Sequence, residues 1–226
     1  MNIAIVQARL GSQRFPGKVL SLINGRNVID HVLDRAKRIN GIDLVLAVIP
    51  AGDVLLEQTI RALGVFPVIG DEHDVLGRFA EAVRGRGPIR SIMRITADCP
   101  AFDIPTAERV LDAFLSSNAD YAWNDTGRTG YPDGFDVEVF SLNALEQAHE
   151  CAGPHEREHV TTWMREHLEC LTVEPPPGWT HTGPHKLSLD LPEDAEAIGA
   201  YLAAQGQPAS QKPAQKPQKP QKPQKP

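Results

Sequence analysis

The stretch NIAIVQARLGSQRFPGKVL, residues 2–20, begins as an apolar run and then breaks into a segment carrying two glycines, a serine, two arginines and a lysine. The run IAIV at 3–6 is short and bounded by turn residues, which is the pattern of a buried parallel strand. Three runs of the same kind follow: LVLAVI at 44–49, FPVI at 66–69 and SIMRI at 91–95. Between them apolar residues recur at helical spacing: Val28, Val32, Leu33, Ala36 and Ile39, then Leu55, Leu56, Ile60 and Leu63, then Val75, Leu76, Phe79 and Val83. Strand and helix in alternation predict an α/β domain with a parallel sheet covered on both faces, and ligands at the carboxyl ends of its strands. After Asp120 the texture changes to DYAWN, FDVEVF and KLSLDL with two more helical stretches, which extends the sheet into a mixed second half.

Composition narrows the classes of function. The 226 residues are 41% hydrophobic and 23% charged, enough for one well-cored domain. A formal net charge of -6 argues against nucleic acid as the main partner, because phosphate backbones are bound by a surplus of Lys and Arg. No stretch reaches the ~20 apolar residues of a membrane span, and the start MNIAIVQARL lacks the basic head and long apolar core of a signal peptide, so a cytoplasmic protein is expected. The three cysteines, Cys99, Cys151 and Cys170, suit reduced thiols. From about residue 205 the chain becomes a Gln-Lys-Pro repeat with nothing to bury; the expected boundaries are a folded domain over 1–204 and a disordered or extended tail over 205–226.

The segment after the first strand therefore lies where such sheets bind ligands. Gly11 and Gly17 let the backbone turn and come close to a ligand, Ser12 offers a hydroxyl, and Arg9, Arg14 and Lys18 supply positive charge. Such a loop fits a polyphosphate. It is neither of two familiar glycine loops: five residues rather than four separate Gly11 from Gly17, Val19 follows Lys18, and G-x-G-x-x-G is absent. Asp98 follows SIMRI by two residues and should project from a strand end, with Pro100 turning the chain away; Asp190 follows the alternating KLSL, expected as a strand, before a Pro able to open a helix. Both are candidate ligands for Mg2+, which takes one or two carboxylates and keeps water and phosphate in its other positions.

Taken in order, QARLGSQRFPGKVL, DEHDVLGRF, MRITADCP, YPDGFDVEVF, EREHVT and LSLDLPEDAEAI resemble the successive signatures of the cytidylyltransferases, in particular the spore-coat polysaccharide branch related to CMP-Kdo and CMP-sialate synthetases. The resemblance runs from about residue 2 to residue 200. It implies a three-layer nucleotidyltransferase fold of the glycosyltransferase-A-like kind, CTP as donor, Mg2+ as cofactor, an acidic sugar or similar anion as acceptor, and a homodimer. It also implies that the aspartates matching Asp98 and Asp190 hold the metal. Transfer of a nucleotidyl group depends on positioning and charge neutralisation, so Arg9, Arg14 and Lys18 would hold the triphosphate and stabilise departing pyrophosphate, with Lys18 the most rate-sensitive. Ala8, Gly11, Ser12 and Arg94 complete the expected nucleotide contacts. Asp133, Asp136 and Glu138, around the turn in YPDGFDVEVF, with Glu158 and His159, are expected at the acceptor, and Arg128 and Arg157 are candidates to receive its carboxylate.

Two other readings stay open on sequence. HEREH at 155–159 matches H-E-x-x-H, which on a helix offers two imidazoles to Zn2+, although Pro154 puts His155 in the first turn and only His181, His185 or an acid could complete the set. A glycosyltransferase with a nucleotide-sugar donor would also use a strand-end aspartate, but the cationic loop suits a longer phosphate chain.

Overall fold

A computed structural model describes residues 1–206, so most of the Gln-Lys-Pro tail lies outside the described residues. In it, IAIV sits within strand β1 (Asn2–Gln7), followed by the short hairpin β2 (Leu22–Ile23) and β3 (Arg26–Asn27), helix α1 (Val28–Lys37), β4 (Leu44–Pro50), α2 (Val54–Ala62), β5 (Phe66–Gly70), α3 (Val75–Val83) and β6 (Ser91–Thr96). The second half adds α4 (Ile104–Leu115), β7 (Tyr121–Trp123), α5 (Thr126–Thr129), β8 (Glu138–Phe140), α6 (Leu142–Cys151), α7 (Pro154–His159), α8 (Thr162–His167), β9 (Cys170–Thr172) and α9 (Asp194–Ala204).

The main sheet has seven strands in the order β5-β4-β1-β6-β8-β7-β9. Its first four run parallel, β8 is antiparallel to both β6 and β7, and β9 is parallel to β7. This is the mixed, mainly parallel sheet expected. Side chains alternate across it, as a period of two requires. Ala4 and Val6 of β1 face a core shared with α1, α2 and α4, whereas Ile3 and Ile5 face one shared with α3, α6 and α8. Among the described residues no helix is long and apolar enough to cross a membrane.

Register decides where the loops emerge. Gln7 at the end of β1 pairs with Val48 on one side and Thr96 on the other, so the segments after β1 and β6 leave the sheet side by side. A third apolar cluster, with Ile23, Phe135, Leu187, Leu189, Ile198 and Leu202, anchors the segment before Asp190 over that edge. Here the structure corrects the sequence expectation, because KLSL is not a strand. It touches a neighbour in strand fashion only at the single bridge between Lys186 and Asp133; the Leu187 amide donates to the Asp133 carbonyl (2.7 Å) and the Leu189 amide to the Asp98 carbonyl (2.8 Å). Leucines 187 and 189 still point inward, which produces the alternation, but no one strand lies alongside for a ladder.

Candidate active site

The loop after β1 folds on itself. The Leu10 carbonyl accepts from the amides of Ser12 (2.8 Å) and Gly17 (2.9 Å), and the Leu10 amide donates to Asp53 Oδ2 (2.9 Å). Gly17 has φ 72, the left-handed conformation that closes the loop and turns the chain inward at Lys18. Gly11 packs behind the loop, where an added Cβ would lie 3.1 Å from Glu72 Oε1.

Lys18 is buried, and its ammonium joins distant parts of the chain. Nζ donates to Asp98 Oδ2 (2.7 Å), to the Leu189 carbonyl (2.8 Å) and, at 3.4 Å, to Asp190 Oδ1. Arg14 Nη2 donates to the same Asp190 oxygen at 2.7 Å. Arg14, Lys18, Asp98 and Asp190 therefore meet at one point although 176 residues separate Arg14 from Asp190. Burial pushes the Asp98 carboxyl up, but the Lys18 ammonium and a hydrogen bond from Thr96 outweigh it and hold the group below the usual carboxylate range. At neutral pH Asp98 is an anion.

Two clefts meet at this point. The first, about 420 Å³, is lined by Ala8, Arg9, Ser12, Arg14 and Lys18 together with Arg78, Asp98, Glu158, His159 and Asp190. The second, about 320 Å³, is lined by Arg94, Trp123, Asp133, Asp136, Glu138 and Arg165, and shares Thr96, Asp98 and Asp190 with the first. The two aspartates thus form the partition between them.

The expected nucleotide and acceptor residues are distributed over both clefts. Arg94, expected at the nucleotide, lines the second cleft: its Nε donates to Gln7 Oε1 (2.9 Å), and its Nη1 forms an ion pair with Glu138 across the β6–β8 register. Glu158 and His159, expected at the acceptor, line the first cleft, where Glu158 pairs with Arg9 at 3.2 Å. Arg128 and Arg157 line neither cleft; Arg157 donates to both Asp74 oxygens at 2.9 and 3.0 Å, and Arg128 is 85% exposed beside Asp125. Glu138 is more a structural acid than expected: burial raises its pKa, but Arg94, Tyr121 and Arg165 bring it below the ordinary value, and Thr161 also donates to it. Asp136 differs. Burial lifts it above the usual range, and hydrogen bonds from Thr126 Oγ1 (2.7 Å) and the Gly134 amide (2.9 Å) only partly offset this. Asp133 Oδ2 accepts from Ser188 Oγ at 2.8 Å.

Two arginines were missed in the sequence. Arg78 is 3% exposed on the first cleft; Nη1 donates to the Asp71 and Glu72 carbonyls, its Nε has no partner, and among the described residues no carboxylate lies within ion-pair distance. Burial, with the nearby Arg9, lowers its pKa. Arg165 lies in the second cleft with its guanidinium 5.1 Å from the centre of the Trp123 ring. Arg78 is hidden among amphipathic helix positions, and Arg165 lies in a segment beyond EREHVT to which the sequence attaches no motif.

The HEREH histidines lie with ring centres 5.0 Å apart, but among the described residues no third ligand joins them in a zinc set. Each charged group between the histidines is committed elsewhere: Glu156 Oε2 accepts from the Gly153 amide, Arg157 binds Asp74 and Glu158 binds Arg9. Among the described residues the one group of three ligand atoms within 4.8 Å of each other is Glu156, Glu166 and His167, which includes neither His155 nor His159. His181 and His185 sit instead in an aromatic cluster with Trp179 and Tyr201.

Comparison with known proteins agrees with this architecture. A family model described as cytidylyltransferase matches residues 3–201. The spore coat polysaccharide biosynthesis protein SpsF of Bacillus subtilis is 28% identical over 213 residues, which cover 90% of this chain and 87% of that protein. A cytidylyltransferase structure from Leptospira borgpetersenii superposes with a TM-score of 0.80 at 26% identity, covering 90% of this chain and 87% of that one. CMP:2-keto-3-deoxy-manno-octonic acid synthetase complexed with CTP shares the fold, with a TM-score of 0.70 at 18% identity over 90% of this chain and 99% of that one.

Proposed function

Because the chain belongs to the cytidylyltransferase family, we propose that it transfers CMP from CTP to a hydroxyl of an acidic sugar and releases pyrophosphate, as a cytoplasmic and dimeric enzyme. The observation that carries this reading is the partition of Asp98 and Asp190 between two clefts, one in which cations outnumber carboxylates and one in which carboxylates outnumber the two arginines, Arg94 and Arg165. The first would take the triphosphate. Its four cations, Arg9, Arg14, Lys18 and Arg78, face three carboxylates, Asp98, Glu158 and Asp190. Arg78 in particular is buried with an unpartnered Nε and, although Asp71, Glu72 and Asp74 lie near enough to favour its charge, has no carboxylate in ion-pair contact; an arriving phosphate would supply the anionic partner.

The donor set also fits Mg2+. Asp98 is ionised, and it and Asp190 offer hard oxygen ligands that now gather around the Lys18 ammonium. Bound there, the metal would neutralise charge on the phosphates during displacement. The chain's own residues do the rest. Arg14 and Lys18 hold the triphosphate so that its innermost phosphorus faces the partition, and they stabilise the pyrophosphate as it departs. From the second cleft, Asp133 and Asp136 accept hydrogen bonds from acceptor hydroxyls, while Arg165, the more exposed of the cleft's two arginines, is the cation for an acceptor carboxylate. The test is pyrophosphate release from CTP and Mg2+ with a panel of acidic sugars. Loss of turnover in Asp98→Ala with the fold intact supports the reading, and unchanged turnover refutes it.

A further inference from the structure

Two short helices connect the clefts. α7 ends on Glu158 and His159, which line the first, and α8, two residues on, carries Arg165, which lines the second. Val160 between them has φ 59 and ψ -60, and the Thr161 amide donates to the His159 carbonyl at 2.6 Å. A hydrogen bond from residue i+2 to residue i, closed around a positive φ, is the rarer and more strained form of γ-turn. A β-branched residue there is an outlier. Val160 is nevertheless fully buried, in the core cluster that holds Phe79, Phe140 and Met164. Packing keeps it in a conformation its own backbone disfavours, and such positions tend to gather at sites that change state.

Its two sides lead to different clefts. Upstream, Glu158 is bound to Arg9, a cation of the loop that we assign to the triphosphate. Downstream, Thr161 Oγ1 donates to Glu138 Oε1 at 2.9 Å. The same oxygen accepts from Tyr121 (2.8 Å) and, over the longest distance of the three, from Arg165 Nη1 (3.3 Å).

We propose that Val160 and Thr161 are positioning residues, which make the placement of Arg165 in the second cleft depend on occupancy of the first; this rests on the nucleotide reading of the first cleft. A triphosphate on Arg9 meets the Glu158 carboxylate with like charge, so the Arg9–Glu158 pair opens and the end of α7 is released. The turn at Val160 then relaxes, and Thr161 moves with it. Glu138 Oε1 exchanges donors, and Arg165 is freed to face an acceptor. The acceptor site is thereby completed only once the nucleotide is in place. The strained turn is the element with two arrangements that such coupling needs.

Fluorine NMR of the protein labelled with 5-fluorotryptophan tests this. The three tryptophans, Trp123, Trp163 and Trp179, give one resonance each, and Trp123→Phe identifies the reporter. Trp123 lines the second cleft and not the first, so CTP reaches it only through the intervening structure. Magnesium and CTP should move the Trp123 resonance along the isotherm that calorimetry gives for CTP binding. Val160→Gly, which adopts the positive φ without strain and so removes the drive for the turn to relax, and Thr161→Val, which removes the hydroxyl donor at nearly constant volume, should bind CTP within about threefold of the parent and lose that movement. If Val160→Gly fails to fold because of the cavity it leaves, Thr161→Val still decides. A Trp123 resonance unmoved at saturating CTP, or one that moves fully in Thr161→Val, overturns the proposal. Absence of calorimetric CTP binding overturns the nucleotide reading and takes the proposal with it.

Discussion

Replacing Lys18 by alanine separates its two roles, as a tie between distant segments and as a phosphate contact. The side chain is 11% exposed, and its ammonium donates to two carboxylates and the Leu189 carbonyl. Its loss leaves Asp98 and Asp190 facing each other with Arg14 (2.7 Å) and Lys186 (3.6 Å) as remaining cations, both through Asp190. Breaking a buried pair costs about 3–5 kcal/mol, and partial exposure of the acids, at 30% and 20%, brings the expected cost to about 2 kcal/mol. For a domain of this size that is a fall in Tm of roughly 4–8 °C. A divalent cation takes up the same two carboxylates, so millimolar Mg2+ should restore much of the lost Tm, as preferential binding to the folded state requires. Turnover should not return. One electrostatic contact to developing charge is worth about 10²–10³ in kcat, and a metal between the aspartates does not replace the side chain on the phosphates. Differential scanning fluorimetry and a pyrophosphate-release assay on the same samples read both. Turnover within about tenfold of the parent would refute the catalytic role; a Tm unmoved both by the substitution and by Mg2+ would refute the shared site.

The acid limb offers a second check. The Asp98 pKa is depressed in the folded state, so the stability it contributes is present above its unfolded value of about 3.9 and is lost as pH falls through the lower folded value. Lys18→Ala removes the main lowering influence while burial remains, which lifts the folded value towards or above the unfolded one, so the acid loss of denaturant midpoint that Asp98 contributes in the parent should shrink or turn into a gain; coincident acid profiles would show that Lys18 does not govern Asp98. Asp136→Asn should raise the KM for the acceptor and leave the KM for CTP unchanged in steady-state kinetics, because Asp136 lines only the second cleft; a matching rise for CTP would contradict the division of the clefts. Gly17→Ala, at φ 72 with open space around it, should cost about 1–2 kcal/mol by thermal melting. Gly134→Ala should cost more and also depress turnover. Its Cβ would fall 2.5 Å from the Leu187 carbonyl carbon and push the 187–190 segment, with Asp190, away from Lys18; equal effects from both glycine substitutions would argue against that account.

What could be read in the sequence, and what could not, follows from how local each cause is. Strands β1, β4, β5 and β6 and helices α1 to α3 are legible because each buries apolar residues in a sheet covered on both sides, and burial imposes a period on the chain itself, whereas the short β2–β3 hairpin carries no such run. Asp98 is legible as a site candidate because it stands just past the end of β6, Lys18 because it closes the cationic loop after β1, and Asp190 because it follows an alternating run, although that run is not a strand. Their meeting depends on register, through Gln7 opposite Thr96 and on the Leu189 amide bonded to the Asp98 carbonyl, and no window of sequence contains both partners. The same limit explains the exchange between the clefts. Arg94 and Glu138 are two charges on adjacent antiparallel strands, and pairing rather than ligand chemistry settles where each points. Glu158 and His159 lie on the opposite side from Arg165 because the chain reverses at Val160, a position at which valine carries no turn signal. A reversal held by packing against Phe79, Phe140 and Met164 leaves its trace in those distant residues and none in HEREHV. The assignment of charges to the two clefts is thus a property of the core, so substitutions in that core should alter selectivity between substrates before they abolish the fold.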